Sequence, residues 1–282
     1  MSNKIPVSVI VLTRDEAINI GRCLAGLSEF DDLIVVDSGS TDATLDVICN
    51  EFPSVRIFQH PFEDFGQQRN WAIEETRARH AWILFVDADE FMLSALSDEI
   101  RQFVADPGDA VGAFVAGRNH FLGRWLKRCT YFPSYQLRLL KRGEVWYRRE
   151  GHGQREVTGG RLIYPGNHWD HEGFSHGVEH WIDRHNRYST AECELILRLR
   201  HERLPVRELF ERDPVRRRRA LKILGAKLPG RPFLRFAYTY FLRWGFLDGY
   251  PGFLFCMLRF GHDWHIITKL VEAQRREHSE TA

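Results

Sequence analysis

Four short runs of β-branched and aromatic residues punctuate the N-terminal third and leave it few folds: residues 7–12 (VSVIVL), 33–36 (LIVV), 55–58 (VRIF) and 82–86 (WILFV). The continuous apolar runs among them suit strands buried on both faces, and residues 55–58, with Arg56 inside, read as a further strand. Between them, residues 20–27, 44–52 and 66–78 repeat apolar side chains at helical spacing. Strands alternating with helices predict an α/β fold with a mostly parallel sheet and right-handed crossovers. Ligands of such sheets bind beyond the carboxyl ends of the strands. Three of the four strand ends carry polar clusters: Thr13-Arg14-Asp15-Glu16, Asp37-Ser38-Gly39-Ser40-Thr41-Asp42 and Asp87-Ala88-Asp89-Glu90. All three are expected at one edge of the sheet, and that convergence argues for a site.

The first turn narrows the ligand. A dinucleotide fold needs Gly-x-Gly-x-x-Gly there, so that backbone can approach a pyrophosphate, and a P-loop needs its own glycines and lysine. Here the turn reads TRDEAIN, with no glycine and two acids. Carboxylates repel a bare pyrophosphate, so phosphates at this edge call for a divalent cation between the two. Asp87 and Asp89 offer a holder, because alternate residues of an extended segment point the same way. Mg²⁺ and Mn²⁺ take one or two carboxylates together with substrate phosphates. A D-x-D triplet also occurs in surface turns and helix caps; the strand end and the second acidic turn favour the metal. Asp37 can accept from a nucleobase or ribose, while Ser40, Thr41 or Asp42 caps the helix that follows.

Taken together, VSVIVLTRDEAINIGRCL, LIVVDSGSTDATLDV, FGQQRNWAIE and WILFVDADE resemble the donor half of the family 2 glycosyltransferases, over roughly residues 5–95. The resemblance implies the GT-A fold, a Rossmann-like, mostly parallel sheet flanked by helices. It also implies a nucleotide-sugar donor bound with Mg²⁺ or Mn²⁺. Carried over residue by residue, it puts Thr13, Glu16, Asp37, Ser38, Arg69 and Asp87 at the nucleotide. Asp87 and Asp89 then face the metal. Many members have two aspartates where this chain has Asp37-Ser38, so the group that meets the base stays open.

Residues 112–121, 136–140 and 145–147 read as further strands, with Trp125, Tyr131, Phe132 and Tyr135 between them. Those aromatics suit either a sugar ring or a core. Inverting transfer needs a general base for the acceptor hydroxyl. The segment EGHGQREV supplies Glu150 and Glu156. Relatives resembling lipopolysaccharide-core transferases often read V-H-E there, and Gln154-Arg155-Glu156 keeps only the acid. Glu156 is the expected base, with Glu150 and Asp170 behind it; an ion pair with Arg148, Arg149 or Arg155 is the alternative. The stretch NHWDHEGFSHGVEHW has no zinc spacing and no cysteine nearby. His171 best resembles the family histidine that joins the metal, with His168 second.

The C-terminal third carries a long helix over 177–200, then four arginines at 216–219, then aromatics interleaved with arginine over 233–260. Membrane-surface helices combine residues in this way; a buried helical hairpin is the alternative. Aromatic and basic residues also bind nucleic acid, but no motif for it accompanies them, and the net charge is only +1. No run reaches the length of a spanning helix. Five scattered cysteines, with 44% hydrophobic and 27% charged residues, fit a globular chain with reduced thiols. The expectation is a GT-A domain over 1–175 and a helical, membrane-surface extension over 176–282. The expected enzyme is cytoplasmic and peripheral on the inner face of the cytoplasmic membrane. It passes a sugar, from a UDP-sugar first, to a hydroxyl of a lipid-linked glycan such as lipopolysaccharide core or an exopolysaccharide precursor. Polyprenyl phosphate as acceptor, or a carbohydrate-binding protein with a dead site, are the alternatives.

Overall fold

The computed structural model describes residues 4–150, 153–211, 214–228 and 230–281, without the side chains of 214–216, 218 and 277–281. Gly151 and His152, next to the candidate bases, lie outside the described residues, as do the side chains of Arg216 and Arg218 in the arginine run. The chain divides into two units, Met1–Gly177 and Val178–Ala282.

In the first unit the elements run β1 (Ile5–Thr13), α1 (Ile20–Gly26), β2 (Phe30–Asp37), α2 (Thr44–Glu51), β3 (Arg56–Gln59) and α3 (Phe65–Glu75). They continue with β4 (Trp82–Asp87), β5 (Glu90–Phe91), α4 (Ser94–Ala105), β6 (Ala110–Phe121), β7 (Arg124–Trp125) and β8 (Tyr135–Lys141). Last come β9 (Trp146–Glu150), β10 (Gly153–Val157), β11 (Arg161–Ile163) and β12 (His168–His171). The main sheet has the order β3-β2-β1-β4-β8-β6-β12-β5, with β7 and β11 also on β6, while β9 and β10 form a separate hairpin.

The apolar runs explain the layering. Val7, Val9 and Val11 of β1 pack into a core with Ile20, Cys23 and Leu24 of α1 and Leu96 and Ile100 of α4. Ile10, on the other face, joins Ile34, Phe85, and Ala72 and Ile73 of α3. Each such side chain contributes about 1.5–3 kcal/mol on burial, which is why both faces of this strand are apolar. Strands β3, β2, β1 and β4 are parallel, and their register is level at the carboxyl ends: Thr13 stands beside Asp37, and Leu12 beside Asp87. Beyond β4 the sheet is mixed, because β8 enters antiparallel between β4 and β6. Strand β12 runs parallel to β6 and antiparallel to β5, which sets His171 opposite Glu90.

The second unit is helical: α5 (Gly177–His201), α6 (Pro214–Lys227), α7 (Arg231–Ala237) and α8 (Gly249–Thr281), joined by short helical turns. Cys193, Ile196 and Leu199 of α5, Ile223 and Ala226 of α6, and Ile266 and Leu270 of α8 form its core. Two anchors add to that packing. Arg235 pairs with buried Asp263 at 2.8 Å, and Lys269 Nζ donates to Asn186 O, Ser189 Oγ and Thr190 Oγ1. Among the described residues no helix is long and apolar enough to cross a membrane.

Candidate active site at the strand ends

The three polar turns do meet at one edge. After β1 the backbone turns through Asp15, at φ +54°, a left-handed conformation that Asp tolerates better than most residues. Asp15 Oδ1 then accepts the backbone N–H of Thr41 at 2.6 Å, and the Asp15 N–H donates to Ser40 Oγ at 2.8 Å. The Glu16 N–H donates to Thr44 Oγ1, and the Ala17 N–H donates to Asp42 Oδ2. The first two turns are therefore stitched together by their own side chains.

Each candidate has a definite place. Thr13 is buried, and its Oγ1 has no hydrogen-bond partner among the described residues. A buried hydroxyl without a partner is costly, and a ligand at this edge would relieve it. Asp37 is fully buried, with its carboxylate turned into its own loop: Oδ2 accepts the N–H groups of Gly39 and Ser40 at 3.0 Å, and Oδ1 accepts Ser40 Oγ–H. This carboxylate therefore also holds the turn that follows β2. Ser38 Oγ accepts from Gln68 Nε2. Glu16 Oε2 accepts from Asn19 Nδ2 at 2.6 Å and lies 3.1 Å from His176 Nε2. Burial raises the Glu16 carboxyl above its ordinary value.

The two aspartates of D-x-D have different surroundings. Asp87 Oδ1 accepts from Arg69 Nη2 at 3.0 Å, and Oδ2 accepts from Arg138 Nη2 at 2.7 Å. Burial opposes ionisation of Asp87, but the guanidiniums of Arg138 and Arg69 outweigh it and hold its carboxyl well below the usual range. Arg69, expected at the nucleotide, is thus committed to Asp87. Asp89 is instead beside His171, with Oδ2 3.3 Å from Nε2. Burial disfavours the imidazolium, but Asp89 prevails and lifts the His171 pKa to about 9. His171 Nδ1 lies 2.7 Å from Asn119 Oδ1, which fixes the ring with Nε2 toward Asp89. An imidazole oriented through its other nitrogen is the usual arrangement of a metal-binding histidine.

Asp89 and His171 fit a hard divalent cation. One carboxylate and one imidazole leave room for the phosphates and waters that Mg²⁺ or Mn²⁺ favours. Among the described residues no group of three or more such side chains gathers at one point, so further ligands would come from a substrate.

The candidate bases are scattered. Asp170 adjoins the pair through β12 but accepts from Arg118 Nε at 2.8 Å and pairs with His120 Nε2 at 2.9 Å. Glu150 and Glu156 stand on the β9–β10 hairpin, Glu156 opposite Tyr147. That hairpin is tied to α3 through Asn70, whose side chain bonds both the N–H and the C=O of Tyr147. His168 lies among Trp125 and Phe132 rather than at the D-x-D turn.

Three residues of this neighbourhood carried no signal in the sequence: Arg138, Asn119 and His120. Two ends of strands separated by crossovers bring them in, and only the pairing of β8, β6 and β12 reveals that.

Comparison with known proteins bears on the family and the fold. Residues 8–159 match the model of glycosyl transferase family 2. The lipopolysaccharide core biosynthesis glycosyltransferase LpsC of Rhizobium meliloti (strain 1021) is 27% identical over 150 residues, 52% of this chain and 55% of LpsC. An uncharacterized glycosyltransferase of Rickettsia bellii (strain RML369-C) is 36% identical over 100 residues, 35% of this chain and 33% of that protein. The chain thus matches about half the length of one relative and a third of the other. Among solved structures, the mannosyltransferase PcManGT from Pyrobaculum calidifontis, in complex with GDP-Man and Mn²⁺, superposes with a TM-score of 0.52 at 16% identity. The match covers 95% of this chain and 87% of that one.

Proposed function

The chain belongs to glycosyl transferase family 2, and on that premise we propose that it moves a sugar from a nucleoside-diphosphate sugar to a hydroxyl of a lipid-linked glycan. The observation that supports this reading is the convergence at one sheet edge of the Asp89–His171 pair and the partnerless hydroxyl of Thr13. A UDP-sugar is the first choice of donor and a GDP-sugar the second. The name of LpsC favours lipopolysaccharide core as the acceptor class, with an exopolysaccharide precursor next.

In this reading Asp89 and His171 hold Mg²⁺ or Mn²⁺, and Asp87 stays with the two arginines. A bound cation would take up negative charge on the diphosphate as it leaves. The turns after β1 and β2 seat the nucleoside near Thr13 and Ser38, with Glu16 behind them. The acceptor oxygen attacks the anomeric carbon, its bond to phosphate breaks, and the hydroxyl proton passes to a carboxylate on the far side. Glu156 is the assigned base. It forms no side-chain hydrogen bond or ion pair among the described residues, whereas Asp170 is engaged by Arg118 and His120. Glu156→Gln is expected to lower the transfer rate by about 10²–10⁴-fold with nucleotide affinity unchanged. The same loss in Asp170→Asn or Glu150→Gln alone would reassign the base. Near wild-type rates in all three would favour polyprenyl phosphate, an acceptor that needs no base.

The second unit is proposed to rest on an anionic membrane surface. Leu242 is 73% exposed, and Phe241 and Trp244 57% each, in the turn that leads into α8, and Phe233 on α7 is 59% exposed. Large exposed apolar patches on a water-soluble chain mark interaction surfaces. Exposed Arg217, Lys222 and Lys227 on α6 supply positive charge of the kind anionic lipid attracts. Replacing Phe241 and Leu242 together by serine is expected to weaken co-sedimentation with phosphatidylglycerol vesicles by at least about tenfold. An unchanged vesicle affinity, with a dimer that dissociates in the variant, would show that a second copy covers this surface instead.

A further inference from the structure

The following rests on the donor-site reading above. Arg138 lies in the middle of β8, only 2% exposed, and its Nη2 donates at 2.7 Å to both Asp87 Oδ2 and Glu90 Oε1. We propose that Arg138 is a positioning residue that clamps the D-x-D turn, committing Asp87 to the protein and presenting Asp89 to the metal. It acts through Asp87 and Glu90 and touches no substrate.

The connectivity carries the inference. Glu90 Oε2 accepts the backbone N–H of Asp87 at 2.9 Å, which closes a ring of three contacts around the four-residue turn. Arg69 takes the other oxygen of Asp87, so both of its oxygens accept from guanidinium groups. The two buried guanidiniums face the buried carboxyl of Glu90 and the half-buried carboxylate of Asp87, so each has a partner of opposite sign, the condition under which such groups are tolerated. Arg138 Nε and Nη1 find no hydrogen-bond partner among the described residues. The guanidinium lies instead 5.4 Å from the ring centroid of Trp169. Trp169 and His171 are alternate residues of β12 and share a face. One strand therefore supports the clamp and also supplies the imidazole beside Asp89. A turn fixed from β4, β8 and β12 at once holds Asp89 in one place, and a shift of about 1 Å in such a group can cost about 10²-fold.

A merely structural arginine would only neutralise Glu90 and Asp87, and a double variant separates the two roles. Arg138→Met leaves an unbalanced buried carboxylate. Arg138→Met combined with Glu90→Gln removes one charge of each sign. Melting temperature and Mn²⁺-dependent binding of UDP and of GDP are measured for both, and for Arg138→Lys. The clamp predicts that the double variant regains most of the melting temperature lost in Arg138→Met. Its nucleotide affinity with Mn²⁺ stays at least about tenfold below wild type. Arg138→Lys shows the same deficit in a folded protein, because an ammonium lacks the rigid fork. Binding that recovers with the melting temperature overturns the inference, as does Arg138→Lys binding like wild type; if neither methionine variant folds, Arg138→Lys decides. Wild type that binds neither nucleotide with Mn²⁺ fails the donor-site reading itself, and the clamp falls with it.

Discussion

Asp89→Asn is expected to slow donor consumption by about 100-fold or more while the protein keeps its fold. The amide preserves shape and loses the charge that faces His171. Asp87→Asn should behave in the opposite way. It would leave the buried guanidinium of Arg69 without its carboxylate partner, while Arg138 keeps Glu90. Removing the partner of a buried charge costs about 3–5 kcal/mol; Asp87 is itself 32% exposed, so a fall in melting temperature at the low end of that range is expected along with lost activity. The pair of variants thus separates a ligand from an anchor within one three-residue motif. Thermal melts and donor hydrolysis on both variants check it. Equal melting losses, or full activity in Asp89→Asn, would contradict the division of labour.

The second large effect lies at the other end of the sheet. Asp32, near the start of β2, has a side chain only 1% exposed and a dense set of donors. Ser8 Oγ donates at 2.6 Å, the Arg79 N–H at 3.0 Å, and Arg56 reaches both oxygens at 2.8–3.1 Å. Asp32→Ala would strand all of them and is expected to cost about 3 kcal/mol, the low end of the range because Arg56 is partly exposed. Nucleotide binding at low temperature should be unchanged, since β2 carries Asp32 and the site at opposite ends. The pH dependence has a definite sign. Burial raises the Asp32 carboxyl, but the Arg79 amide, the Ser8 hydroxyl and Arg56 outweigh it and place the folded pKa below the ordinary value. The contribution is therefore complete above the unfolded value of about 3.9 and is lost as pH falls through the folded pKa. Denaturation of both proteins at pH 7 and pH 3 checks this, and the gap in stability should narrow at the lower pH.

The GT-A sheet was readable because three apolar runs, at 7–12, 33–36 and 82–86, suit strands buried on both faces and end in polar clusters. The meeting of Asp89 with His171 was suggested by family likeness alone. Its physical cause, the antiparallel pairing of β12 with β5, involves strands so short that no periodicity marks them. Arg138 was hidden for a different reason. A single arginine in the apolar run QLRLL reads as an edge or exposed position, and only its pairing with Glu90 and Asp87 explains its place. Asp37 was legible as a residue of the strand-end cluster, but its hydrogen bonds to the Gly39 and Ser40 amides were not, since a turn-shaping and a ligand-binding aspartate leave the same trace in DSGSTD.

The central claim is that Asp89 and His171 bind a divalent cation together with a nucleoside diphosphate. Calorimetric titration of wild type and Asp89→Ala with UDP, GDP and CMP, each with and without Mn²⁺, tests it most directly. The account predicts that one nucleoside diphosphate binds wild type only with Mn²⁺, and that Asp89→Ala loses this binding. Absence of binding by any nucleotide, or binding indifferent to both Mn²⁺ and Asp89, would contradict it.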